Sequence, residues 1–231
     1  MRPSSRVTAE AGGLSRTAQI QPGVFCTFEA PFIRLLTLYS NTLEDPGVIA
    51  NNSIGNSQLD YLKAALGRVK SEGFNGAVIL AHHHPAYTAG SQHGWSEQML
   101  SQIDAACLAA GVWPHAVLSG HAHNYQRFTR HHGQAQVPYI ICGNGGHGLA
   151  KLATKGSSAL RTPQQLQVPS HSDKVTLENY DDQDYGYLRV VVTASQLRIE
   201  YHPASDGDAA KTPDDFVTVD LASRKLVHFS G

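Results

Sequence analysis

The sequence predicts a layered α/β fold that continues into an antiparallel β region at its C-terminus. Residues 76–84 and 115–120 each contain a short continuous apolar run, as strands buried on both faces do. Amphipathic patterns over residues 57–73 and 96–112 precede each of these runs. This order of elements favours α/β layers over a pure β sandwich, while the alternation of apolar and polar residues after residue 185 predicts antiparallel strands.

The first 73 residues predict an irregular start, a hairpin and a helix. Residues 1–23 have no apolar period, and we expect them to be flexible. Residues 24–41 contain two β-rich runs separated by a turn signal at Ala30–Pro31, which predicts a hairpin. A helix follows from a Ser57 cap to Gly73. Its apolar positions have helical spacing: Leu59, Leu62, Leu66 and Val69.

The remainder of the chain predicts a second helix and several strands. Residues 96–112 form the helix, and residues 124–132 and 137–148 form a strand pair. Residues 151–180 are rich in Ser, Thr, Gln and Pro and predict a long flexible loop. No internal repeat or linker divides the sequence, so we expect residues 1–231 to form a single domain.

The composition excludes several classes of protein. With 18 Lys and Arg against 19 Asp and Glu, the net charge of −1 argues against a nucleic-acid-binding surface. No apolar run reaches the roughly 18–20 residues of a membrane helix, and the first residues lack the apolar centre of a secretion signal. The cellular compartment stays open. The three cysteines form no CxxC motif, and we expect buried free thiols.

Thirteen histidines are the unusual feature of the composition, and two groups of them follow the predicted buried strands. His82–His84 end the first strand, and His121 and His123 follow the second. In layered α/β proteins, ligands bind at the C-terminal ends of strands, so these groups are candidates to meet in space. Imidazole binds Zn²⁺, Fe and Mn²⁺. The groups are therefore either metal ligands or polar loop residues.

Two stretches that contain these histidines resemble a known family. The stretches "GHAHNYQR" and "VILAHHHPAYTAGSQHG" are similar to the C-terminal half of the calcineurin-like metallophosphoesterases, closest to the purple acid phosphatase branch. That family has GHxHxYxR at the end of its site and HxPxY after an upstream buried strand. Here HxPxY is residues 83–87, so the resemblance assigns the metal to His83 rather than to His82 or His84. It covers about residues 20–150.

The resemblance implies a layered metallophosphoesterase sandwich, of which this chain holds the second half, and a site for two metal ions. Such ions, here Fe, Zn or Mn, lie about 3.5 Å apart and generate a hydroxide nucleophile near neutral pH. His83 and His121 would bind one ion, and His123 the other. Of the other histidines in the first group, we expect one to pack or to hydrogen-bond to the backbone, and the other to support the ligands.

The resemblance also implies residues that contact a phosphate-ester substrate. His93 matches a position at which a histidine faces the substrate, where it would hydrogen-bond a phosphate oxygen or protonate the leaving group. Tyr125 and Arg127 would shape and charge the rim of the pocket. By contrast, "GNGGHG" (residues 143–148) predicts a tight turn, with His147 as a turn residue.

Three upstream motifs of the family, DxH, GDxx(D/Y) and GNH(D/E), have no match here. The pair Gly207–Asp208 lies in a late polar loop, and neither Gly55–Asn56 nor Gly143–Asn144 is followed by His. We therefore expect a C-terminal portion whose site is completed by a separate or upstream segment. Two functions stay open: metal-dependent hydrolysis of phosphate esters, or an inactive remnant that serves as a weak metal-binding or interaction module. A β-rich ligand-binding domain with incidental histidines is a third.

Overall fold

The structure is a computed structural model that describes residues 24–41, 46–90, 93–152, 159–206 and 212–227. The prediction for residues 1–23 therefore lies outside the described residues. In the described part of the chain there are two α-helices and twelve strands. In chain order they are β1 (Cys26–Ala30), β2 (Ile33–Thr37), α1 (Ser57–Ser71), β3 (Ala77–Ala81), α2 (Glu97–Ala110), β4 (Ala116–Ser119), β5 (Tyr125–His132), β6 (Ala135–Cys142), β7 (Gln164–Leu166), β8 (Lys174–Asp181), β9 (Gly186–Val192), β10 (Gln196–Pro203), β11 (Asp215–Asp220) and β12 (Lys225–Leu226).

The strands form two sheets. The larger sheet has the order β1-β2-β3-β4-β6-β5-β8-β7, and β2, β3, β4 and β6 are parallel neighbours. Its outer pairs are antiparallel, including the predicted β1–β2 hairpin. The smaller sheet, β12-β11-β10-β9, is antiparallel throughout. The predicted α/β fold with an antiparallel C-terminal region is confirmed.

Each face of the larger sheet has its own apolar core. On one face, α1 and α2 pack through residues such as Leu62, Leu66 and Ile103 against the strand residues Leu80 and Val117. The other face packs against the smaller sheet. There the buried residues of β3, β4 and β6 meet those of β10 and β11: Ala77, Ile79, Ala116, Ile140, Leu197, Ile199, Val217 and Val219. The result is three layers, helices on sheet on sheet, of the kind that buries apolar faces on both sides of a parallel region.

The two helices begin differently. Ser96 caps α2, since its Oγ accepts a hydrogen bond of 3.1 Å from the Met99 amide. Helix α1 begins at Ser57 but has no side-chain cap at Asn56, so the predicted serine cap is absent. Its first turn is instead connected to the chain after β2, because the Gln58 amide accepts from the Tyr39 N–H and donates to the Tyr39 carbonyl.

The segment 151–180 differs from the loop that its composition predicts. It contains β7 and most of β8, and β8 pairs with β5 along its length. Val175 and Leu177 on β8 are fully buried in the core beneath the helices. The sequence does not reveal this strand, because its other positions are mainly polar or charged, and one inward-facing row of apolar residues is sufficient for an antiparallel strand.

Cys26, Cys107 and Cys142 are all free thiols, as predicted, but only Cys107 is buried. Among the described helices, none is long and apolar enough to cross a membrane.

The buried His115, which precedes β4, makes stability depend on pH. Its Nδ1 accepts a hydrogen bond of 3.0 Å from the Val78 amide, and burial, with the charge of Arg224, lowers the pKa of His115 to about 4. Because the unfolded chain binds this proton near pH 6.5, the contribution to stability is complete above pH 6.5 and is lost towards pH 4.

His115→Gln tests this pH dependence, because the amide still accepts from Val78 but does not titrate. Between pH 6.5 and pH 4, we expect the free energy of unfolding of the variant to fall by about 3 kcal/mol less than that of the wild type. Urea unfolding at a series of pH values measures this, and parallel curves for the two proteins would contradict it.

Candidate metal centre

The histidine groups meet because their strands are parallel neighbours. In register, β3 pairs with β4, and β4 pairs with β6, so the loops that follow all three strands leave the same edge of the sheet. Two backbone hydrogen bonds connect the first two loops: His82 N–H to the Leu118 carbonyl at 3.1 Å, and Gly120 N–H to the His83 carbonyl at 2.9 Å. The loop after β3 therefore lies against the loop after β4, as the sequence predicts.

Three imidazoles from these loops form a group that fits a metal ion. One ligand atom from each of His83, His84 and His121 lies within 4.8 Å of the others. His83 Nε2 and His121 Nδ1 are 3.1 Å apart. Two nitrogens bound to one tetrahedral Zn²⁺ at about 2.0–2.1 Å lie about 3.3 Å from each other, so this pair already has nearly the separation that such an ion requires. A donor set of neutral imidazoles suits Zn²⁺, Fe or Cu rather than Mg²⁺ or Ca²⁺.

His84 belongs to this group together with His83, although the resemblance assigns only His83 of the first histidine group to the metal. Its side chain is buried, and its Nδ1 lies 3.0 Å from Ser40 Oγ, which also accepts from the His84 amide. When Nδ1–H donates to that hydroxyl, Nε2 keeps its lone pair for a metal. Gly47 lies against the ring at φ +89°, and a Cβ there would be 2.3 Å from His84 Cγ. The position of the ring is thus fixed on both sides.

His82 supports the loop rather than the metal. Its Nδ1 is 2.6 Å from the His84 carbonyl, and its side chain is buried. Burial lowers the pKa of His82 to about 4, so the ring is neutral at pH 7 and donates this hydrogen bond from Nδ1. It is the histidine that hydrogen-bonds to the backbone, as expected for one of the flanking pair.

The backbone conformation of the second loop is strained at a histidine. His121 has φ +63°, in the left-handed region that side chains other than those of Gly, Asn and Asp rarely adopt. Such strain persists where the surrounding structure fixes it, and it is common at functional sites. Gly120 makes no close approach, since a Cβ there would have only ordinary contacts. Gly143, in contrast, has to be glycine for the backbones to approach, because an added Cβ would lie 2.0 Å from the Ala122 carbonyl oxygen.

Three more histidines extend the group into a row. The His93 ring lies between those of His121 and His123, with centroids 4.8 Å and 4.7 Å away. The His123 ring is 4.2 Å from that of His147, which the sequence suggests only as a turn residue. Burial and the neighbouring His147 and His93 lower the pKa of His123, which favours the neutral form that binds metals. The structure therefore brings together four predicted site residues and adds His84 and His147.

The metal-binding group contains no carboxylate among the described residues. The carboxylates of Asp181, at the end of β8, and of Asp182, directly after it, make structural contacts instead. Asp182 accepts a hydrogen bond from the Leu152 amide at 2.9 Å, and Asp181 accepts one from the Tyr201 hydroxyl at 2.8 Å. The described site is thus an all-imidazole site, and any bridging carboxylate comes from elsewhere.

Solved structures share this architecture, although no family model and no curated protein matches the sequence. Purple acid phosphatase PPD1 from yellow lupin (Lupinus luteus) seeds has a TM-score of 0.60 at 15% identity, over 85% of this chain and 32% of that one. PhoD has a TM-score of 0.58 at 14% identity, over 96% of this chain and 46% of that one. GAP50, the anchor in the inner membrane complex of Plasmodium, has a TM-score of 0.52 at 14% identity, over 85% of this chain and 52% of that one. The chain shares the fold of these three structures, an α/β sandwich. The chain spans only 32–52% of the length of these three structures.

Tyr125 and Arg127, which the resemblance predicts at the rim of the pocket, lie on β5 and contact the smaller sheet. They are two positions apart on β5 and so point to the same face, towards the smaller sheet. Tyr125 is 2% exposed, stacks on Tyr201 with ring centroids 4.0 Å apart and donates to Asp215 Oδ2 at 2.8 Å. Arg127 donates two hydrogen bonds of 2.7 Å and 2.9 Å to the same carboxylate. Both residues therefore connect the two sheets.

Gly47→Ala tests the position of His84. The added Cβ would overlap the His84 ring, so we expect Zn²⁺ affinity to fall at least tenfold with little change in helix content. Gly133→Ala is the matched control, since Gly133 also has positive φ but has open space where its Cβ would lie. Calorimetric Zn²⁺ titration of both variants measures the difference. Equal affinities would show that the contact between Gly47 and His84 has no part in metal binding.

Arg127→Met tests whether this residue contributes to stability rather than to the metal site. Because the substitution leaves Asp215 buried without its ion pair, we expect the free energy of unfolding to fall by about 3 kcal/mol. Zn²⁺ affinity should stay within twofold of the wild type. Lost Zn²⁺ binding at unchanged stability would return Arg127 to the site.

Proposed function

We propose that this chain hydrolyses phosphate esters with a metal ion bound by His83, His84 and His121. The observation that carries this proposal is the convergence of three imidazoles, within 4.8 Å, at the carboxyl edge of a parallel sheet. The metallophosphoesterase sandwich around them, shared with a purple acid phosphatase, supports a phosphate ester as the substrate class. The resemblance in sequence supports Zn, Fe or Mn as the bound ion, of which the imidazole donor set favours Zn or Fe, and it supports a second ion at His123.

The residues of the chain supply orientation and proton transfer. A bound ion polarises a phosphoryl oxygen and lowers the pKa of a coordinated water. His93, between His121 and His123, is placed to donate a hydrogen bond to a phosphate oxygen or a proton to the leaving group. Ser40 and His82 fix the ring and backbone of His84, so that the ligands do not reorganise when the substrate binds.

A second candidate function is a non-catalytic metal-binding or interaction module. It is favoured by the absence of a carboxylate from the described histidine group and by the similarity to GAP50, which is described as an anchor. A group of neutral ligands leaves the charge of two ions uncompensated, and a bridged pair is then unfavourable. In this candidate, or when a separate or upstream segment has to complete the site, the isolated chain binds metal without turnover.

Turnover of p-nitrophenyl phosphate distinguishes the two candidates. The chain is loaded in turn with Zn²⁺, Mn²⁺ and Fe²⁺, and metal content is measured for each sample. We expect a metal-dependent rate that chelation abolishes and that His121→Ala lowers at least a hundredfold, because the ligand that joins both loops is removed. His131→Ala is the matched control, since His131 lies at the opposite end of β5.

Bound metal without turnover in any of the three forms would support the non-catalytic module. Equal turnover in His121→Ala and the wild type would sink the proposed active site. Absence of bound metal from the wild type would contradict the proposed active site and leave only the interaction module.

A further inference from the structure

We propose that His147 is a metal ligand, and that with His123 it binds a second ion beside the one held by His83, His84 and His121. This inference rests on the proposed function, since it concerns the same row of imidazoles. His147 comes from a third loop, and neither the motifs nor the resemblance assigns it to a metal.

The ring nitrogens of His123 and His147 are separated by a distance that suits a shared metal ion. His123 Nδ1 and His147 Nδ1 are 3.1 Å apart, the same distance as that between His83 Nε2 and His121 Nδ1 in the first group. Two nitrogens on one tetrahedral ion lie about 3.3 Å apart. The row of histidines therefore contains two nitrogen pairs at metal-binding separation, and the His93 ring lies between them.

Hydrogen bonds hold the His147 loop against the His123 loop. Gly143 N–H donates to the Asn124 carbonyl at 3.2 Å, and Ala150 N–H donates to the His123 carbonyl at 3.0 Å. The Asn124 side chain, 2% exposed, donates to the Ala150 carbonyl at 2.9 Å. These bonds lie on both sides of His147, so the loop is fixed before any ion binds and little ordering entropy opposes binding.

The place of the His147 loop in the larger sheet also supports the proposal. The His147 loop follows β6, which pairs in parallel with β4, so it leaves the same edge of the sheet as the other two histidine loops. Asn144 connects the loop to the smaller sheet, since its buried amide donates to the Tyr201 hydroxyl and to the Asp184 carbonyl, both at 2.8 Å. The carboxyl edge thus supplies histidines from three consecutive parallel strands.

The chemistry of the pair defines what it binds. Two imidazoles suit a divalent ion of the borderline class, with Zn²⁺ as the probe. His147 is exposed and His123 is partly exposed, so the remaining coordination positions are open to water or to a phosphate oxygen. With two protein ligands against three, the second ion binds more weakly than the first, and inorganic phosphate strengthens its binding by supplying an anionic ligand.

Zn²⁺ titration of the full chain, with and without inorganic phosphate, tests the proposal. We expect two ions per wild-type chain, the weaker of which tightens at least fivefold with phosphate. In His147→Ala only the tighter ion should bind, with its affinity within twofold of the wild type and no effect of phosphate. His84→Ala should instead weaken the tighter ion at least tenfold, and His131→Ala should match the wild type.

Replacement of His147 by cysteine gives a readout that a purely structural role would not produce. In His147→Cys the thiolate takes the place of the imidazole, so Co²⁺ should bind at the second position with a sulfur-to-cobalt charge-transfer band in the near ultraviolet. The wild type, with imidazole ligands, lacks this band. The three native thiols are the background, which the His147→Ala variant measures.

The outcomes separate this inference from the function on which it rests. A single ion in the wild type that His84→Ala weakens, or two ions in His147→Ala, overturns the role of His147 and leaves the first site in place. A cysteine variant without the charge-transfer band, while Co²⁺ occupies the first site, also overturns it. A wild type that binds no ion overturns the proposed function itself.

Discussion

The parallel pairing of β3, β4 and β6 is the constraint on which the whole site depends. Parallel neighbours in register end at one edge of the sheet, and each of these three strands continues directly into a loop that carries histidine. The helices on one face and the smaller sheet on the other bury all three strands, so this edge has little freedom to move. Side chains that are 38 residues apart in the sequence, such as His83 and His121, therefore come within hydrogen-bond distance.

A site made from imidazole alone has a definite electrostatic character. The described ligand group carries no negative charge, so each bound ion keeps its full charge and attracts anions such as phosphate. The same neutrality limits how strongly two cations are held together, because no carboxylate compensates their repulsion. Whether the chain is an enzyme or a binding module is therefore decided by what supplies the missing negative charge: a substrate, or carboxylates from another segment.

The smaller sheet contributes to the site without providing ligands. Tyr125 and Arg127 contact Asp215, and Asn144 contacts Tyr201, so β5 and the His147 loop are both connected to this sheet. Because these contacts are buried, they hold the loops that carry His123 and His147 at fixed positions. The antiparallel region thus acts as a support for the metal-binding edge.

The sequence by itself determined the α/β layers and the proximity of His83 and His121, since apolar runs that end in histidine specify both the strands and the edge. It also specified His93 by resemblance, and the structure places that ring within the row. It did not reveal β8, because one buried row of Val175 and Leu177 is a weak pattern among polar residues. By resemblance it also placed Tyr125 and Arg127 at the pocket, and only the structure shows that both contact Asp215 of the smaller sheet. The inclusion of His84 and His147 was decided only by tertiary structure. Their roles depend on a close contact with Gly47 and on three hydrogen bonds between distant loops, and neither leaves a local pattern in the chain.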